Sequence, residues 1–172
     1  MNLRDTILEE HSKSQTAKIV KYIGPNEKRF AELMKLFFSG EYRVTQRAAW
    51  PMSYCVREHP SLIQPYFKKL LQMLARPDNH DAVTRNILRL LQDVKIPKRF
   101  HGDLMNRCFE YITASDIPSA IKAFALTILE NLSNEYPDIR KELQIIIEER
   151  FVHESPAFQS RARKILKKIS GK

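Results

Sequence analysis

Few of the residues in this 172-residue chain could do covalent or metal chemistry. The histidines, His11, His59, His80, His101 and His153, are scattered, with no metal-ligand spacing. Cys55 and Cys108 fall on apolar helical faces, where a thiol stays protonated and inert, so a Cys–His nucleophile is not expected. Only four glycines are present, and no phosphate loop or nucleophile elbow occurs. We therefore assign no catalytic residue, no metal ligand and no cofactor. What remains is chemistry of attraction. Lysines and arginines recur at helical spacing around the single tryptophan, Trp50, and such cations bind anions while an aromatic ring supplies an apolar anchor. The candidate partner-binding residues are Lys18, Lys21, Trp50, Arg85, Arg89, Lys164 and Lys167.

These residues need helices to place them. In the stretch from Arg43 to Pro60, Val44, Ala48, Pro51, Met52 and Cys55 share one face of an amphipathic helix. Val83, Ile87, Leu90, Leu91 and Val94 repeat the pattern, as do Ile121, Ala125, Ile128, Leu129 and Leu132, and Phe158, Ala162, Ile165, Leu166 and Ile169. Ser12, Thr16, Ile19, Val20 and Ile23 form a fainter copy. First members at 12, 44, 83, 121 and 158 give intervals of 32, 39, 38 and 37, which is a helical repeat. Pro25, Pro60, Pro97 and Pro137 each precede a helical pattern, where a missing N–H does no harm. The expected organisation is a single domain over 1–172, with units 2–24, 25–59, 60–96, 97–136 and 137–172. Each unit reads as helix A, a turn and helix B. Pro51 should kink its helix. The second unit's A helix covers 26–39, the third unit's covers 61–75, and the chain's last B helix ends at Ser170-Gly171.

Opposite the apolar columns, at 100° per residue, lie three rows on the B helices. They are Ser14, Gln46, Arg85, Ala123, Ser160; Lys18, Trp50, Arg89, Thr127, Lys164; and Lys21, Ser53, Gln92, Glu130, Lys167. The seven candidates come from these rows. Over the whole chain, 29 basic against 20 acidic residues give a net charge of +9, which favours anionic partners through long-range attraction. No uncharged run exceeds nine residues, so no membrane span is expected. The start Met1-Asn2-Leu3-Arg4-Asp5 lacks the apolar stretch of a signal peptide. The two cysteines read as buried free thiols of a reducing compartment, and the expected location is the cytoplasm. The oligomeric state cannot be read from these patterns.

Two-helix units of this length, the B-helix opening Val44-Thr45-Gln46-Arg47-Ala48-Ala49 and the following His59-Pro60-Ser61-Leu62-Ile63 resemble HEAT repeats. The likeness spans nearly the whole chain by periodicity, although no arginine matches Arg47 in the third unit. The resemblance implies an all-α, right-handed superhelix of four to five helix pairs, with B helices lining a concave face. It implies a binding surface and no particular chemistry. The expected function is a non-catalytic scaffold binding an acidic protein or peptide. The alternative is a DNA-binding or DNA-repair protein. One HEAT-like branch, the alkylpurine DNA glycosylases, is similar in outline: Trp50 and Arg89 could stand in its aromatic and arginine roles. No aspartate falls in the three rows, and Glu130 is their only carboxylate.

Overall fold

The computed structural model describes residues 1–170, and all regular structure among them is helical. Gly171, which the sequence placed at the end of the last helix, lies outside the described residues. The chain divides into two compact units, Met1–Leu70 and Leu71 onward.

The first unit holds α1 (Leu3–Glu9), α2 (Lys13–Ile23), α3 (Glu27–Phe37) and α4 (Tyr42–Glu58). Capping chemistry marks where three of them start. The side-chain oxygens of Asn2, Ser12 and Asn26 accept from the amides of Arg4, Gln15 and Arg29 at 3.1, 3.0 and 3.1 Å. Each bond satisfies an amide that the first turn leaves without a partner, and is worth typically ~1 kcal/mol. Gly24 ends α2 with φ 49°, in the left-handed region that glycine enters without steric cost. The buried stripes meet in one core built from Ile7, Ile19, Ile23, Phe30, Leu33, Phe37, Ala48 and Met52. α4 packs against α1, α2 and α3.

α4 spans Tyr42–Glu58 with Pro51 inside it, so the Arg47 carbonyl lacks the amide it would have received there. One expectation changes here. The A helix expected over 61–75 is instead a 3-10 segment, Pro60–Tyr66, followed by α5 (Phe67–Leu74). Pro65 cannot donate to the carbonyl four residues back, so the chain takes the tighter turn until Phe67.

The second unit continues with α6 (Asp81–Leu91), α7 (His101–Thr113), α8 (Ser119–Leu132), α9 (Ile139–Arg150) and α10 (Pro156–Ile169). α8 is central, packing against α6, α7 and α10. Its Ile121, Ala125, Ile128 and Leu129 are buried with Leu104, Cys108, Ile112, Phe158, Ala162 and Ile165. Most members of the apolar columns read from the sequence are thus core in both units, although Ser12, Leu166 and Ile169 are only half-buried and Val94, also half-buried, lies past the end of α6. Cys55 and Cys108 are buried and free. Burial, helped by the nearby Glu58 charge, pushes the Cys55 thiol up to about 12, and burial alone raises Cys108 further.

Candidate binding surface

In the first unit, the seam between α2 and α4 is open. A cleft of about 400 Å³ lies there, lined by Lys13, Thr16, Ala17, Val20 and Lys21 of α2 and by Trp50, Tyr54 and Glu58 of α4. Trp50 and Tyr54 are one helical turn apart and so share a face. Both are half-buried and held from behind. His11 stacks on Trp50, with ring centroids 5.0 Å apart and planes at 25°. The Arg57 guanidinium sits 5.2 Å from the centre of the Tyr54 ring. The His11 contact puts the start of α2 beside Trp50, while Lys21, in the last turn of α2, lines the cleft with Glu58 at the end of α4. The two helices therefore run in the same direction. Lys13 and the N-terminus of α2 form a positive end, and Glu58 stands at the other end with Lys21.

Of the seven residues marked in the sequence, Lys21 and Trp50 line this cleft together. Lys18, on the same helix as Lys21, is exposed outside it. Arg85 is exposed and Arg89 half-buried on α6, and Lys164 and Lys167 are exposed on α10. None of the six cations forms an ion pair among the described residues. The rows are not uniformly solvent-facing, because Ala123 is buried at 7% exposure. Glu130, the only carboxylate in them, pairs with Lys168. The sequence reading missed Lys13, Ala17, Tyr54 and Glu58 as cleft residues. The spacing of Trp50 and Tyr54 was a usable signal; the gap between the helices was not.

Other basic residues are committed to the fold. Arg47 donates to the carbonyls of Leu8 at 2.7 Å and Ile7 at 3.4 Å, at the end of α1. Arg29 donates to Tyr22 at 2.7 Å, and Arg150 to Thr113 at 2.7 Å. A guanidinium at a helix C-terminus satisfies orphan carbonyls and meets the negative end of the dipole. His101 is equally structural: it is buried and bonded to the Ile96 carbonyl at 2.8 Å and the Tyr136 hydroxyl at 3.1 Å. Among the described residues no group of histidine, cysteine, aspartate and glutamate could hold a metal ion.

A family model for the HEAT repeat domain matches residues 3–169. The chain belongs to the HEAT-repeat family. The resemblance read from Val44–Ala49 and His59–Ile63 and the all-helical expectation both hold. Neither a curated protein nor a solved structure matches the chain. In this HEAT protein no helix among the described residues is long and apolar enough to cross a membrane.

Proposed function

We propose that this HEAT-repeat protein is a non-catalytic binding module that holds an acidic protein or peptide on the basic face of its B helices. The observation that carries the reading is the α2–α4 cleft, where aromatic walls stand between exposed, unpaired lysines. Aromatic residues at the centre of an interface supply most of the affinity, and charges at its rim mainly steer the encounter. Lys18, Lys21, Arg85, Arg89, Lys164 and Lys167 are the steering charges, and Trp50 is the anchor. The buried free thiols suit a reducing compartment, and we place the protein in the cytoplasm.

The competing reading is a nucleic-acid binder, in which the same cations contact phosphates. One feature weighs against it at the cleft. One face of Trp50 is already stacked on His11, which leaves a single face for a base. Equilibrium binding of a labelled glutamate-rich peptide and of duplex DNA, each over a range of salt, tests the proposal. Tighter binding of the peptide at equal ionic strength is expected. Tighter binding of the duplex, with an affinity that falls steeply with salt, would transfer the function to the alternative.

A further inference from the structure

We infer that the α2–α4 cleft takes one large apolar side chain of a bound peptide, with an acidic residue of that peptide seated over Lys13. The inference rests on the proposed function and narrows it to a site and a ligand chemistry. Ligand sites run from roughly 300 to 1,000 Å³, so a cleft of about 400 Å³ lies at the small end, suited to a side chain rather than a large cofactor. Its floor and walls are Val20, Ala17, the methyl of Thr16 and the two aromatic rings. The Thr16 hydroxyl is turned to the Ser12 carbonyl at 2.9 Å, which leaves its polar atom already satisfied.

The charges give the peptide its pattern. Lys13 is exposed at the start of α2, beside the positive end of the helix dipole, and no acidic side chain of the described protein pairs with it. A carboxylate bound there gains from both. Lys21 lies eight residues on, roughly 12 Å along the helix at 1.5 Å per residue. It shares its end of the cleft with the unpaired Glu58, so that end favours a donor such as a peptide N–H over a second carboxylate. The ligand is therefore an acidic residue followed or preceded at short range by leucine or phenylalanine, not a uniformly acidic tract.

Trp50 is the single tryptophan, so its emission reports the site alone. The test titrates the full-length protein with three synthetic peptides: glutamates flanking a leucine, glutamates flanking an alanine, and serines flanking a leucine. Only the first should bind tightly and shift the Trp50 emission to the blue, and leucine-to-alanine replacement should weaken binding by roughly tenfold or more. Ala17→Phe, at an exposed position, plugs the cleft without touching the core. It should abolish the emission shift and leave the helical circular dichroism and the melting temperature unchanged. Lys13→Glu should weaken the acidic peptide and spare the serine peptide. Equal affinity for the leucine and alanine peptides, with Trp50 emission unmoved, would overturn the cleft assignment while leaving the basic binding face standing. Failure of every acidic peptide to bind would overturn the binding function itself. A blue shift produced by a single-stranded oligonucleotide, and not by the leucine peptide, would assign the cleft to a base instead.

Discussion

Lys13 and Lys122 stand at the same place in their repeats, each one residue after the first member of its apolar column, Ser12 or Ile121. Lys122 is 2% exposed, and its Nζ lies 2.6 Å from Glu154 Oε1, which also meets Arg150 at 2.8 Å. Lys13 is exposed at the mouth of a cleft. The sequence explains the difference. Glu154 stands four residues before Phe158, and the matching residue before Val44 is Gly40, which offers no carboxylate. The next contact along the seam repeats the lesson. Lys168 of α10 reaches Glu130 of α8, whereas at the matching positions of α4 and α2 stand Tyr54 and Lys21. Two carboxylates bind the α8–α10 seam together, and a glycine and a lysine replace them at the α2–α4 seam. A cation at a fixed repeat position is therefore structural or available according to its neighbour, not according to its place in the helix.

The largest effect should come from Glu154. Removing one partner of a buried ion pair leaves the other charge unpaired, which costs about 3–5 kcal/mol. Glu154→Gln should lower stability by that order in chemical denaturation. Lys13→Ala, at the position matching the Lys122 that Glu154 pairs with, should stay within about 0.5 kcal/mol of the parent, as exposed substitutions do. Equal losses at the two sites would erase the distinction between the seams.

Arg47 sharpens the comparison inside the first unit, because it is a cation there that the fold has taken up. Arg47→Ala leaves the Leu8 and Ile7 carbonyls without their charged donor, at a cost of about 1.5–3 kcal/mol. Hydrogen exchange should show the loss concentrated in α1. Exchange that accelerates evenly through the unit would argue against a local cap.

A smaller effect follows from Cys55. Its thiol is raised from 9.0 to about 12 in the folded chain, so the folded state holds its proton after the unfolded state has released it. Stability from this group is complete below pH 9 and falls as pH rises from 9 toward 12, because the unfolded chain there binds fewer protons. At pH 10, one unit above the unfolded thiol's 9.0, the loss is about 1.4 kcal/mol. Cys55→Ala should flatten that part of the alkaline slope. A slope unchanged by the substitution would assign it to other groups, Tyr66 and Tyr111 among them, whose hydroxyls burial also pushes up.

The fold was legible because each apolar column obeys one period, and a column of Ile121, Ala125, Ile128 and Leu129 has to be buried somewhere. Helix lengths were less legible where a local rule competed, as Pro65 did by turning an expected helix into a 3-10 segment. The site was half legible. Lys21 and Trp50 stood on the reported rows, but Lys13 and Ala17 lie beside the apolar column, where periodicity cannot tell a packed seam from an open one. The role of Arg47, and the bond of Arg150 to Thr113, were not legible, because the acceptors are backbone carbonyls distant in sequence, and carbonyls carry no sequence signal.

The central claim is that the α2–α4 seam is open to a partner because it lacks the pairing that ties α8 to α10. The most direct test rebuilds that pairing with Lys21→Glu combined with Tyr54→Lys, and measures the affinity for the leucine peptide flanked by glutamates. A double variant carrying Lys164→Glu and Lys167→Glu, which changes the net charge more but leaves the cleft intact, serves as the comparison. The first variant should keep its melting temperature and lose roughly tenfold or more in affinity, and the second should lose less. Wild-type affinity in the first variant, or a larger loss in the second, would contradict the claim.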